Sequence, residues 1–224
     1  MKGINFDKTF ALTPTFGALR MIFSISCLKK WLIHTFDVKV AFLHSLIKKT
    51  LYIWPPKGIE LPGKLVLKLK KELYRTKRAA RSWWAHLKEI LQQIGFKMNG
   101  KDPSMYYFDS KEGQEILWIH VDHGALTGSS FRLLDYIASE LNRKLQIKWD
   151  NVINGLAGLS IVEDNQEYKF HQMDLCEKLI SLSPGTITVT SPLPSNCDLQ
   201  SNPLKVMDKE YLKKIGMLLY IAQG

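Results

Sequence analysis

Two short apolar segments each carry an aspartate among core-like side chains. Asp37 lies in Phe36-Asp37-Val38-Lys39-Val40-Ala41-Phe42-Leu43, and Asp122 in Trp118-Ile119-His120-Val121-Asp122-His123-Gly124. A carboxylate left alone inside an apolar strand costs several kcal/mol or more, so each needs a partner. A fold that sets the two side by side makes a hard-oxygen cradle for a divalent cation, the chemistry of phosphoryl transfer. Each also has a commoner explanation, since a strand aspartate often pairs with a lysine. Lys39 stands two positions from Asp37 on the same strand face. The residue after the second aspartate is His123 rather than another carboxylate, and the chemistry turns on that position.

Hydrophobic period lays out the rest of the chain. The spacing predicts a helix over 16–32 and a period-two strand over 33–43, with Phe36, Val38, Val40 and Phe42 on one face. Trp54-Pro55-Pro56-Lys57-Gly58 reads as a turn, and Leu65, Leu67 and Leu69 alternate within 64–70. From Ala79 to Ile94 the stripe Trp83, Leu87, Ile90, Leu91 and Ile94 is helical, and Gly95 closes it. Strands are expected over Met105–Phe108 and Ile116–Asp122, around a turn at 109–113. Ser129 or Ser130 caps a helix carrying Leu133, Leu134, Ile137 and Leu141.

Leu145, Ile147 and Trp149 alternate again, and Leu156–Val162 with Glu167–His171 read as a hairpin. A helix over Asp174–Leu182 and a proline-bearing loop follow. Asp208 caps a last helix with Leu212, Ile215, Leu218 and Leu219 on one face. Strands and helices without a strict βαβ rhythm argue an α+β fold.

With 224 residues, 46% of them hydrophobic, a packed core is expected. The 31 Lys and Arg against 21 Asp and Glu leave +10, which favours a polyanionic partner, nucleic acid before an anionic membrane. No apolar run approaches the ~20 residues of a membrane span. Met21–Leu28 is broken by serines and followed by Lys29-Lys30, which fits neither a span nor a signal peptide. Cys27, Cys176 and Cys197 are odd in number and scattered, as expected of a reducing intracellular setting.

Two further groups carry charge or metal-binding potential. Lys70, Lys71, Arg75, Lys77, Arg78 and Arg81 run into Trp83 and Trp84. Cations at a helix start oppose its dipole, and phosphate groups would repay them. The tryptophans either stack on bases or, as their helical spacing with Leu87 favours, belong to the core. His120-Val121-Asp122-His123 places residues 120 and 122 on one strand face. The spacing of His86 and His171 gives that cluster no zinc pattern.

In this order, the segments resemble the reverse transcriptase domain of copia-type retrotransposons. Thr9-Phe10-Ala11 resembles its entry segment, and Phe36 to Leu43 its first catalytic strand, D-V-K-T-A-F-L. Leu69 to Trp83 is similar to L-x-K-A-L-Y-G-L-K-Q-A-P-R-x-W, and His120 to His123 stands where the family has Y-V-D-D. Ser191-Pro192-Leu193-Pro194 and Ile215 to Tyr220 resemble T-P-L-P and I-G-x-L-x-Y.

The resemblance implies a single domain over 1–224, built on a polymerase palm in which helices back an antiparallel sheet. Residues up to about 142 would make partial fingers and palm, and those from about 143 the late palm and start of a thumb or connection. It implies RNA-directed DNA polymerisation with two Mg²⁺ ions, an RNA template, a DNA primer and deoxynucleoside triphosphates. Asp37, Asp122 and the carbonyl of Val38 match the metal-ligand positions. Phe42 matches the bulky residue that excludes a 2′-hydroxyl, and Arg78 lies near incoming nucleotide. Arg75, Lys77 and Arg81 lie towards template.

The departures weaken that expectation. His123 replaces the third carboxylate, and an imidazole is a poor Mg²⁺ ligand without negative charge; Mn²⁺ accepts nitrogen better. His120 replaces tyrosine, Arg75 glycine, Arg78 glutamine and Ala80 proline. Matched to the family, the chain is truncated at both ends, lacking a basic fingers segment upstream and an R-P-D continuation. The reading is a degenerate polymerase, weakly active or inactive. The alternative is a non-catalytic basic RNA- or DNA-binding remnant.

Overall fold

A computed structural model describes residues 15–47, 50–59, 61–63, 65–76, 78–165, 167–182 and 208–223. The first half comprises α1 (Phe16–Lys29), β1 (Leu32–Val38), a 3-10 turn η1 (Ala41–His44), β2 (Tyr52–Ile53), β3 (Leu67–Lys68) and α2 (Ala79–Ile94). Next come β4 (Lys97–Met98), β5 (Met105–Ser110), β6 (Gly113–His120), β7 (His123–Gly128) and α3 (Phe131–Lys144). The remainder is β8 (Ile147–Trp149), β9 (Gly155–Leu156), β10 (Leu159–Asp164), β11 (Glu167–His171), α4 (Met173–Ser181) and α5 (Lys209–Gln223).

Six strands form one sheet in the order β4-β5-β6-β7-β1-β8, antiparallel at each pairing. β11-β10-β9 makes a smaller sheet and β2-β3 a ribbon. This is the mixed helix-and-sheet architecture expected from the sequence.

The large sheet is covered on both faces. Phe36, Val38, Leu117, Ile119 and Leu126 pack with Trp83, Leu87 and Leu91 of α2 and Leu134, Ile137 and Leu141 of α3. Met105, Trp118 and Ala125 on the opposite face meet Leu19, Ile22 and Phe23 of α1 and Leu156, Leu159 and Ile161 of the small sheet. Helix ends follow their local chemistry. Ala18 N–H donates to Thr15 Oγ1 and Leu133 N–H to Ser130 Oγ, while Gly95 takes φ +113° at the end of α2.

Several sequence boundaries move. The first helix ends at Lys29, not residue 32, and the strand expected over 33–43 stops at Val38. Lys39 N–H donates to Gln146 O, and Val40 then takes φ +49°. The chain leaves the sheet there and winds into η1, so the alternation through Val40 and Phe42 has no strand beneath it. The 64–70 alternation yields two paired residues, Leu67–Lys68. On α5, Asp208 Oδ1 accepts from Glu210 N–H as a cap would. Among the described residues of that helix none is buried, however, and Leu212, Leu218 and Leu219 lie exposed. Thr9–Ala11, Ser191–Pro194 and Cys197 fall outside the described residues.

β7 is the element the sequence hid. His123-Gly124-Ala125-Leu126-Thr127-Gly128 has no polar–apolar alternation because both faces are covered, with Gly124 to Gly128 buried. Gly124 lies opposite Phe36, and a Cβ there would stand 2.2 Å from the Phe36 ring. The strand is therefore specified by what its glycines leave room for.

Opposite Gly128, Glu115 is fully buried, and its carboxyl occupies the space a Cβ on Gly128 would take. Ser130 N–H donates to Oε1, while Oε2 has no hydrogen-bond partner among the described residues. Burial pushes this carboxyl up to about 7 from an ordinary 4.5, against the lowering effect of the Ser130 amide. The acid is neutral when folded and ionised when unfolded across that window. The contribution of Glu115 to stability is therefore full below pH 4.5 and is lost as pH rises to about 7, by up to roughly 3 kcal/mol. Glu115→Gln should flatten this decline, read as Tm against pH from 5 to 8.

Candidate metal centre

Three chemistry-bearing side chains converge at one end of the β1–β7 pair. Asp37 closes on the end of β1, and its register partner is His123, the first residue of β7. Asp122 lies in the two-residue turn between β6 and β7 rather than within a strand, and His120 pairs with His123 across that turn. The expected sharing of a strand face by His120 and Asp122 is replaced by a hairpin end. A turn here brings His123 round to the aspartates.

The imidazole of His123 stands between the two carboxylates. Its Nδ1 is 2.9 Å from Asp122 Oδ1 and its Nε2 is 3.5 Å from Asp37 Oδ2. One donor atom from each of Asp37, Asp122 and His123 lies within 4.8 Å of the others. Asp37 thus finds His123 as its neighbour, rather than the Lys39 suggested by alternation. The Asp122 hydrogen bond raises the His123 pKa against burial, with help from the charges of Asp122, Asp37 and Asp150. Burial pushes Asp122 up, but the hydrogen bond and charge of His123 outweigh it and leave it below its ordinary value. His120 is lowered, first by burial and then by the charge of His123.

The backbone around the carboxylates is held in place. Val38 is buried, and its N–H donates to the Asp122 carbonyl at 2.7 Å. Val121, just before Asp122, takes φ +58°, a conformation that a β-branched residue adopts only when its surroundings impose it. Trp83 supplies that constraint from α2, its Nε1–H donating to Val121 O at 2.5 Å. The tryptophan is 2% exposed, as the core reading expected, but it also fixes the turn.

The other candidate residues spread over neighbouring elements. Phe42 lies on η1 with its ring 4.5 Å from that of Tyr74, edge on. Tyr74 escaped the sequence reading because its charged neighbours drew attention. Its hydroxyl is raised first by burial and then by the charges of Asp122 and Asp37. Arg78 is directed elsewhere: its Nε lies 3.3 Å from Oε1 of buried Glu72. Ser82 and Thr76 hydroxyls also donate to that carboxylate. Arg81 is half-buried in the first turn of α2, and Lys77 lies outside the described residues.

Arg75 is exposed with φ +68°, in the left-handed region where glycine is at ease. This accounts physically for glycine at the matching position of the resembled segment. Arg75→Gly should stabilise the chain by about 0.5–1 kcal/mol, the left-handed cost less the extra chain entropy of glycine. A rise of a few degrees in Tm checks this.

The donor set does not fit a pair of Mg²⁺ ions. Mg²⁺ demands oxygen ligands in octahedral geometry, and here one of three donors is nitrogen and only two are anions.

Comparison with known proteins adds an independent line. The profile of the reverse transcriptase (RNA-dependent DNA polymerase) family matches residues 1–195. The chain is 26% identical to the Retrovirus-related Pol polyprotein from transposon TNT 1-94 of Nicotiana tabacum, over 98% of this chain and 18% of the polyprotein. It is 23% identical to the corresponding polyprotein from transposon RE1 of Arabidopsis thaliana, over 98% of this chain and 15% of that one. The Transposon Ty1-DR1 Gag-Pol polyprotein of Saccharomyces cerevisiae is 24% identical over 88% of this chain and 12% of its own length. The chain therefore spans less than a fifth of these relatives. No solved structure matches it. Among the described residues, no helix is long and apolar enough to cross a membrane.

Proposed function

The chain belongs to the reverse transcriptase (RNA-dependent DNA polymerase) family, and from that membership we propose that it keeps a polymerase palm whose polymerising centre is degenerate. The six-stranded antiparallel sheet backed by α2 and α3 is the palm. The β2–β3 ribbon belongs to the fingers, and the region from about residue 143 to late palm and thumb. Asp37 and Asp122 are the retained ligand pair, with the Val38 carbonyl beside them. Phe42 is the platform under the sugar, Arg75, Lys77 and Arg81 supply positive charge for the template–primer, and Arg78, expected near nucleotide, instead ties its Nε to Glu72.

The observation that carries this reading is His123 between Asp37 and Asp122, at 3.5 and 2.9 Å. An imidazole at the third carboxylate position removes one anion from the centre. It also fills the gap between the remaining two with a group that competes for their charge. Loss of several kcal/mol of transition-state stabilisation follows, about 10³-fold in rate or more.

Binding depends less on the lesion than chemistry does. The net charge of +10 favours retained affinity for nucleic acid, so a non-catalytic binding role is the second reading. Primer extension on poly(rA)–oligo(dT) tests both. We expect no extension in Mg²⁺, a trace in Mn²⁺, and template–primer binding that weakens steeply with salt. Robust extension in Mg²⁺ would refute degeneracy, and absence of binding at low salt would remove the second reading.

A further inference from the structure

We propose that Glu72 is a positioning residue whose buried carboxylate supplies the anion at the start of α2. It makes Arg78 part of the scaffold and leaves Arg75 as the phosphate-facing arginine of the preceding turn. The inference rests on the reading of this segment as the nucleotide side of the palm, and it divides the work among the segment's arginines.

Burial is the first ground. Glu72 is fully buried, and a carboxylate there needs donors and a counter-charge. It has both. Arg78 Nε lies 3.3 Å from Oε1, and the arginine side chain is only 12% exposed. Ser82 Oγ donates to Oε1 at 2.9 Å, and Thr76 Oγ1 to Oε2 at 3.3 Å. Groups of the chain itself therefore engage both oxygens.

Helix electrostatics is the second ground. Arg78 is the N-cap residue of α2 and Arg81 lies in its first turn, which holds no acidic residue. Cations there oppose the helix dipole, so the sequence alone asks for an outside anion such as phosphate. Glu72 is that anion, delivered from the chain just before the turn.

Placement is the third ground. Glu72 N–H donates to Ser45 O at 3.0 Å and Ser45 N–H to Phe42 O at 3.2 Å, which ties the carboxylate-bearing residue to η1. Thr76 N–H donates to Leu73 O at 3.1 Å and closes the turn. That turn carries Tyr74, whose ring lies 4.5 Å from that of Phe42, and exposed Arg75 at φ +68°. One buried carboxylate thus braces both the Phe42 platform and the turn that exposes Arg75.

The departures from the resembled segment agree. L-x-K-A-L-Y-G-L-K-Q-A-P-R-x-W has alanine, leucine and glutamine where this chain has Glu72, Thr76 and Arg78. The three changes meet at one carboxylate, so they act as a set rather than as separate lesions.

Thermal melts and salt-dependent binding of the full 224-residue chain test the proposal. Arg78→Gln leaves the carboxylate buried without that cation and should lower Tm by roughly 5 °C or more. Adding Glu72→Ala and Thr76→Leu should restore most of the loss. Titration of labelled poly(rA)–oligo(dT) at several salt concentrations then reads the phosphate contacts. The triple variant should keep the slope of log affinity against log salt, whereas Arg75→Gln should reduce it by about 1.

An Arg78→Gln variant that melts with the unmodified chain, or a triple variant that melts no higher than Arg78→Gln, would overturn the proposal. So would a reduced slope in the triple variant, which puts Arg78 on phosphate, or an unreduced one in Arg75→Gln. If Arg78→Gln does not fold, a cooperative melt of the triple variant reads the same coupling. If the chain binds no template–primer, the assignment of Arg75 to phosphate falls and the melts decide the role of Glu72. Extension assays keep the palm reading separate. If His123→Asp restores extension while the melts show no coupling, the palm reading stands without this inference. If the melts show coupling and no variant extends a primer, Glu72 keeps its role in the scaffold without the palm reading.

Discussion

His123→Asp is expected to raise primer extension on poly(rA)–oligo(dT) in Mg²⁺ by about 10³-fold or more over the unmodified chain. The substitution restores a third anion at the position facing Asp37 in the register of β1 and β7, and it removes the imidazole that separates the two aspartates. The backbone of the turn survives the substitution, because the Asp122 and Val121 carbonyls are held by Val38 N–H and Trp83 Nε1–H, while the Asp122 carboxylate loses its His123 Nδ1 partner. Three carboxylates at one hairpin end repel each other when no ion is present. The variant should therefore melt below the unmodified chain in chelator and recover in Mg²⁺, a signature the unmodified chain lacks. A folded, Mg²⁺-stabilised variant that still extends nothing would move the lesion to Arg75, Arg78 or another departure. A variant with neither stabilisation nor extension would sink the assignment of Asp37 and Asp122 as a ligand pair.

What the sequence disclosed about this centre, and what it concealed, follow from the physics of each element. Asp37 was legible because a carboxylate among Phe36, Val38 and Ala41 breaks an apolar pattern. The helix over Ala79–Ile94 was legible to the residue because its stripe is amphipathic and Gly95 ends it. The turn at Val121–Asp122 was not. A hairpin normally signals itself with glycine or asparagine at positive φ, and here valine occupies that conformation under tertiary constraint. Missing the turn concealed β7, and with it the means by which His123 comes to face Asp37. The same cause hid the end of β1, where Val40 also takes a positive φ in a run that alternates like a strand. Both errors lie beside the carboxylates. Strain concentrates where backbone must present side chains rather than bury them, and local sequence rules fail there first.

Trp83→Ala should cost the fold about 3–5 kcal/mol, a large share of the stability such a domain has, and lower Tm by roughly 10 °C or more. Part of this is the cavity left among Leu87, Leu117, Ile119 and the other residues packed between α2 and the sheet. The remainder is specific to the turn: without Nε1–H the Val121 carbonyl loses its donor, and nothing offsets the left-handed valine before Asp122. Trp83→Phe separates the two contributions, since it keeps most of the ring volume and deletes the hydrogen bond. It should lose about 1–3 kcal/mol, the cost of an unpaired carbonyl, with a smaller void. Combined with His123→Asp, it should abolish most of the recovered extension while the protein remains folded, because the turn can then relax and carry Asp122 away from Asp37. Should the double variant extend primers as well as His123→Asp alone, Trp83 would be a core residue that happens to reach the turn. The centre would then owe its geometry to the β1–β7 register and the Val38 amide.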